Sequence, residues 1–169
     1  MKAFGVAFAL LLAVAGTAVW PAGLAARGWV PDLLLLVTVA AGLQGRGRTG
    51  FLVGVLAGLL AGPLSLEPFG WDAALLGSAG LVTASLRTYL RGDHPGVQAV
   101  LAGGLALALG GLRVLRLEMT EGEIALLGLV PLVFAGALAT AALAPALVSG
   151  LDGLGAFRAP GERRFGRAV

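Results

Sequence analysis

The sequence predicts an all-α integral membrane protein, a compact bundle of six transmembrane helices with both termini in the cytoplasm. Of its 169 residues, 58% are hydrophobic and only 12% are charged, whereas a soluble domain carries about a quarter charged residues. Six apolar segments are separated by charged residues or by Pro/Gly clusters. The basic residues concentrate in alternate connections between these segments, which is the pattern of a chain that crosses a bilayer repeatedly.

The six segments cover residues 3–20, 30–43, 51–66, 69–86, 97–112 and 124–151. A helix needs about 20 residues to cross a hydrocarbon core of about 30 Å, and the first and fourth segments satisfy this requirement. The second, third and fifth are short, so we expect flanking residues to extend each by a turn or more. The last is long and contains Pro131 and Pro145, which predict a tilt, a kink or an extension into the cytoplasm.

The first segment can also be interpreted as a signal peptide. Lys2 precedes it, and small residues such as Ala13, Ala15 and Ala18 lie near its end. Its apolar run is longer than the about 7–15 residues of a usual signal peptide core. We therefore expect this segment to be retained as the first helix of the bundle.

The distribution of basic residues predicts the orientation. Nine of the twelve lie before the first segment, in the second and fourth connections, and in the tail: Lys2, Arg46, Arg48, Arg87, Arg91, Arg158, Arg163, Arg164 and Arg167. The opposite side holds only Arg27, Arg113 and Arg116. Because basic connections stay in the cytoplasm, residues 1–151 are predicted to form the transmembrane domain and residues 152–169 a basic cytoplasmic tail. The tail arginines are explained by this orientation signal, or alternatively by contact with anionic lipid or a cytoplasmic partner.

The third segment carries a stripe of glycines, Gly50, Gly54, Gly58 and Gly62, at strict four-residue spacing. Four residues turn an α-helix by about 400°, so the four glycines share one face that lacks side chains. Such a face permits close helix packing in lipid, against either a helix of the same bundle or a helix of another protein. Two glycine pairs of the fifth segment, at residues 103–104 and 110–111, are candidates for a complementary groove.

Charged residues near the segment ends form the second candidate site. Asp32 opens the second segment, Asp72 opens the fourth, and Arg113 and Arg116 close the fifth, all on the predicted external side. They mark the membrane interface, or alternatively Arg113 pairs with Asp72 or Asp32 around an outward-facing pocket. Ionisable groups deep in a membrane are costly and usually functional. This sequence has no chain of carboxylates at midplane depth, so an ion-driven pump is poorly supported.

The sequence contains no enzyme signature. It has no cysteine, which excludes thiolate metal sites and cysteine nucleophiles. Its only histidine, His94, lies in a turn and is interpreted as a surface residue, since one histidine does not make a typical zinc site. We therefore expect a protein that is not an enzyme and that has no metal or cofactor.

Three short segments resemble the rod shape-determining protein MreD family of bacterial membrane proteins. They are PDLLLL at residues 31–36, GFLVG at residues 50–54 and LSLEPFG at residues 64–70. Their order and spacing resemble the family pattern, in which Pro31, Asp32, Pro68 and Gly70 occupy motif positions. Asp72 occupies the position after the turn where the family commonly has Asn.

The resemblance implies a non-enzymatic scaffold subunit of the cell-elongation machinery in the bacterial cytoplasmic (inner) membrane, helping to control cell shape and peptidoglycan synthesis. It implies binding to the single-span protein MreC and, through MreC, to actin-like MreB filaments and cell-wall synthases. Membrane lipid is expected as a further partner, and nucleic acid is not. The family is also similar to the substrate-binding subunits (S components) of vitamin transporters, which are compact six-helix bundles. A vitamin-binding subunit is therefore the alternative function.

Overall fold

The computed structural model describes residues 3–25, 27–45, 47–63, 70–89, 94–121 and 126–153. These residues form seven helices: α1 Ala3–Ala18, α2 Ala22–Ala25, α3 Leu33–Gln44, α4 Gly47–Ala61, α5 Trp71–Leu86, α6 Pro95–Glu121 and α7 Leu126–Gly153. Within these residues there is no β-strand. The predicted all-helical fold is confirmed.

Each of the six apolar segments overlaps one helix of 12 or more residues, but the helix ends differ from the segment ends. The largest difference is in α6, which continues from Leu112 to Glu121. Hydropathy ends the apolar segment at Arg113, whereas Arg, Leu, Glu and Met are all good helix formers and continue the helix. Arg113 and Arg116 therefore lie inside a helix rather than after one. The single-turn helix α2 was not predicted, because four residues are too few for a periodic pattern.

Helix α3 is the centre of the bundle and contacts α1, α4, α5, α6 and α7. Its side chains are buried on all sides, with Leu35, Leu36 and Val39 fully inaccessible. A helix that is apolar all round is expected in a core rather than at a surface. With 12 residues, α3 rises about 18 Å. Its neighbours therefore enclose it over its whole length.

Two antiparallel helix pairs pack around α3. Helix α4 packs most extensively against α5, and α6 packs most extensively against α7. The contacts run in opposite chain directions in both pairs. Gly50 faces Gly80 while Gly58 faces Ala73, and Gly103 faces Ala141 while Gly110 faces Val133. Helix α1 packs against α3 and, less extensively, against α4. Apart from the single-turn α2, the described helices therefore form a central helix, two hairpins and one peripheral helix.

The two ends of the bundle are named here after the residues that flank α3. At the Gln44 end, the side-chain amide of Gln44 donates to the backbone oxygen of Val148 over 2.8 Å, and Arg87 donates to the backbone oxygen of Gly45. These bonds tie the end of α3 to α7 and to the residue after α5. The Asp32 end lies at the starts of α3 and α5, where Asp32 and Asp72 lie close to Arg113 of α6.

Two of the described helices are long and apolar enough to cross a membrane. They are Pro95–Met119 in α6, with 25 residues, and Gly128–Gly153 in α7, with 26 residues. Helix α7 continues without interruption through Pro131 and Pro145. The apolar helices α1, α3 and α4 are shorter. Helix length and composition thus support a membrane location, while six crossings and the orientation of the termini remain predictions.

Candidate functional site

The glycine stripe of α4 lies directly against the backbone of α5. A Cβ atom on Gly54 would overlap the backbone oxygen of Leu76, and one on Gly58 would overlap the backbone of Ala73. A Cβ atom on Gly50 would lie 2.7 Å from the backbone oxygen of Gly80. Helix α5 of the same chain therefore occupies this face, and no space remains there for a helix of another protein. Gly62 lies just after the end of α4, where its N–H donates to the backbone oxygen of Gly58 over 3.0 Å.

Helix α5 also supplies small residues to this contact. A Cβ atom on Gly80 would overlap the backbone oxygen of Gly50, and one on Gly77 would lie 2.9 Å from Cγ2 of Val55. The interpretation that α6 supplies the complementary groove is therefore wrong. The sequence signal that was missed is Ala73, Gly77 and Gly80, three small residues at helical spacing on the fourth segment.

The glycine pairs of α6 divide between two faces of that helix. Gly103 and Gly110 face α7, where a Cβ atom would lie 2.9 Å from Cβ of Ala141 and 2.6 Å from Cγ1 of Val133, respectively. Among the described residues, a Cβ atom on Gly104 or on Gly111 would meet open space outside its own stretch of helix. Successive residues point about 100° apart on a helix, so one glycine of each pair packs inward and its neighbour points outward.

The outward glycines belong to a longer exposed face of α6, which we call the α6 open face. It consists of Gly96, Val100, Gly104, Ala108 and Gly111, all of which are exposed. A Cβ atom on Gly96 would also meet open space. Four of these five residues are Gly or Ala, so the backbone of another helix could approach closely along this face.

Arg113 forms the centre of a charge cluster at the Asp32 end. Its Nη2 donates to Oδ1 of Asp72 over 2.8 Å, and its Nη1 lies 3.6 Å from Oδ2 of Asp32. The Asp72 side chain is only 3% exposed, whereas those of Arg113 and Asp32 are 30% and 28% exposed. The pairing considered in the sequence analysis is thus present. We call Asp32, Asp72 and Arg113 the Arg113 cluster.

Asp32 holds the cluster to the start of α3. Its Oδ1 accepts a hydrogen bond from the backbone N–H of Leu35 over 2.9 Å, which satisfies one of the free N–H groups at the helix start. Its own backbone N–H donates to Oγ1 of Thr140 on α7 over 3.0 Å. Pro31 beside it is fully buried. The motif positions Pro31 and Asp32 therefore lie where α3 and α7 meet, next to Arg113 of α6.

A second contact between α5 and α6 lies next to the pair of Asp72 and Arg113. The guanidinium of Arg116 lies over the ring of Trp71, 5.1 Å from its centroid, which is within the range of a cation–π interaction. Gly70 precedes Trp71 with φ of 92°, a left-handed conformation that favours glycine. The motif position Pro68 lies outside the described residues.

The charged groups of the Arg113 cluster pair with one another. One guanidinium faces two carboxylates from α3 and α5, so the cluster holds three helices together at the Asp32 end. Within the described part of the chain, no group of three or more His, Cys, Asp or Glu side chains could hold a metal ion. His94 is exposed just before α6, and its backbone oxygen accepts from Val97 N–H over 3.0 Å.

Comparisons of this chain with protein-family models, with curated proteins and with solved structures found no match. The α6 open face is a surface on which a helix could pack, and the Arg113 cluster is an internal connection between helices.

Proposed function

We propose that this protein is a non-enzymatic scaffold subunit of the bacterial cell-elongation machinery. In this proposal it crosses the cytoplasmic membrane six times, with both termini in the cytoplasm. It binds the transmembrane helix of an MreC-like single-span protein and, through that protein, acts on MreB-like filaments and cell-wall synthases. Loss of the protein would then produce round cells.

Two lines of support come from the sequence. The ordered segments at residues 31–36, 50–54 and 64–70 resemble those of the MreD family, which implies a scaffold with a single-span partner. The alternating distribution of basic residues supports an even number of crossings with cytoplasmic termini. A helix at each of the six apolar segments, two of them long and apolar enough to cross a membrane, is consistent with this topology.

The α6 open face is the observation that carries the proposal. Helices associate in lipid through close packing, which small residues permit. The glycine stripe of α4 is covered by α5, so a partner helix cannot pack there. The α6 open face is the exposed surface of small residues on which a partner helix can pack instead. By contrast, the exposed surface of α7 includes bulky side chains such as Phe134 and Leu138. We therefore assign the partner helix to α6.

Bulky substitutions on the α6 open face test this assignment. Gly104→Phe and Ala108→Phe are expected to reduce co-purification of the partner at least tenfold and to make a rod-shaped host round. The bundle itself should tolerate Gly104→Phe, because a side chain at this position begins in open space. The measurement is the amount of partner recovered from mild detergent with the tagged protein, at matched insertion levels.

Leu52→Phe is the matched control, since Leu52 is 54% exposed on α4, which packs against α5, α3 and α1. It should retain the partner and the rod shape. Unchanged recovery of the partner with both α6 variants would exclude this docking site. Stoichiometric binding of a vitamin, together with co-purification of ATPase subunits, would instead support the transporter function.

The proposed orientation makes a separate prediction. This cysteine-free chain suits single-cysteine labelling with a thiol reagent that does not cross membranes. Gly47→Cys and Asp93→Cys should remain unlabelled in intact cells and become labelled after lysis. Glu67→Cys and Glu121→Cys should be labelled in intact cells. The opposite pattern would reverse the orientation of the whole bundle.

A further inference from the structure

The two hairpins of the bundle are each held together by backbone packing along their length. In the α4–α5 hairpin, glycines bring the two backbones into contact at Gly50, Gly54 and Gly58. In the α6–α7 hairpin, Gly103 lies against Ala141 and Gly110 against Val133. Closely packed contacts of this kind break in one step, because a packed helix pair does not deform continuously. Each hairpin is therefore expected to move as one unit.

The two hairpins meet where α5 lies beside α6, and we call this contact the α5–α6 seam. It differs from the contacts within each hairpin because it has little close packing. Helices α5 and α6 contact each other far less than either contacts its hairpin partner. At the Asp32 end, however, two neighbouring residues of α5 hold two residues one turn apart on α6. Asp72 binds Arg113, and Trp71 lies under the guanidinium of Arg116. Polar links thus fasten a seam that has little apolar packing.

The stronger of the two links is the pair between Arg113 and Asp72. A 2.8 Å hydrogen bond between opposite charges is stronger than a neutral one, and the almost complete burial of Asp72 limits screening by solvent. Asp32 lies 3.6 Å from the same guanidinium and is more exposed. Arg113 therefore has a close carboxylate on α5 and a more distant one on α3.

We propose that the links from Arg113 to Asp72 and from Arg116 to Trp71 form a latch that closes the α5–α6 seam at the Asp32 end. Release of the latch separates the two hairpins at this end while each hairpin stays intact. In the released state Arg113 keeps Asp32 as its partner, so the guanidinium stays paired. The latch is independent of the proposed scaffold function, because it involves only contacts within this chain.

Thiol labelling of the purified full-length protein in detergent tests the latch. The seam probe is Leu109→Cys, at a buried position one turn before Arg113 on the same face of α6. The core probe is Ala57→Cys, at a fully buried position on α4. The reagent is a small maleimide, and the readout is the labelling rate at each probe with and without the latch substitutions.

The double substitution Asp72→Asn with Arg116→Ala should raise the labelling rate at position 109 at least tenfold and change that at position 57 by less than twofold. Arg116→Ala alone should give a smaller increase at position 109. Asp32→Asn, which keeps an N-cap side chain and removes only the more distant charge, should leave both rates unchanged. Equal increases at the two probes would mean that the substitutions loosen the whole bundle and would overturn the latch. An unchanged rate at position 109 would also overturn it.

Discussion

Gly58→Ala is expected to lower the free energy of unfolding by about 1–3 kcal/mol, the usual cost of overpacking. A Cβ atom at this position would overlap the backbone of Ala73. Backbone atoms cannot move aside as the end of a flexible side chain can, so α4 and α5 would have to separate. Gly54→Ala should act in the same direction, because its Cβ atom would overlap the backbone oxygen of Leu76. Thermal unfolding of the purified protein in mild detergent measures both changes.

Gly104→Ala is the matched control, because it makes the same chemical change in a helix where the Cβ atom meets open space. Alanine is favoured over glycine in a helix interior by about 1 kcal/mol, so this substitution should leave the stability unchanged or raise it. Gly58→Ala should therefore lower the stability, whereas Gly104→Ala should not. Equal melting temperatures for Gly58→Ala and Gly104→Ala would contradict the close contact between α4 and α5.

The sequence pattern identified the face of α4 that packs closely, but not the helix that packs there. The four-residue spacing of Gly50, Gly54 and Gly58 requires a common face on any α-helix. Which helix covers that face depends on the arrangement of the bundle, and hydropathy carries no information about that arrangement. The structure places Gly77 and Gly80 of α5 on the face, rather than the glycines of α6.

Helix ends were predicted less well than helix positions. The apolar segment at residues 97–112 predicted the core of α6 but not its continuation to Glu121. Hydropathy measures the tendency to leave water, whereas the end of a helix depends on backbone hydrogen bonding and capping. Arg113 and Arg116 reach α5 from this added part of α6, so a helix that ended at Leu112 would lack the rigid support that positions them.

The charged residues of the second candidate site were identified from the sequence, whereas their geometry was not. Alternation of the segments places Asp32, Asp72 and Arg113 at one end of the bundle. Their distances depend on the rotation of three helices about their axes, and no local pattern specifies that rotation. The structure resolves the choice of partner, since Arg113 lies closer to Asp72 than to Asp32.

Arg113→Gln and Asp72→Asn are expected to be strongly coupled in a double-mutant cycle on the free energy of unfolding. We expect an interaction of about 1–3 kcal/mol for this pair, at the upper part of the range for residues in contact. The hydrogen bond is short and Asp72 is buried, so either single substitution leaves an ionised group facing a neutral amide. Together, the two substitutions remove both charges and leave two amides that can bond each other.

The same cycle with Asp32→Asn and Arg113→Gln should give a much smaller coupling, of about 0.2–1 kcal/mol, as is usual for exposed ion pairs. Asparagine retains the N-cap bond to Leu35, so this cycle reports the charge interaction rather than the start of α3. Coupling depends on distance and burial, and both favour Asp72 over Asp32. A larger coupling to Asp32 than to Asp72 would mean that Arg113 is held mainly by α3, and the α5–α6 seam would then lack its principal link.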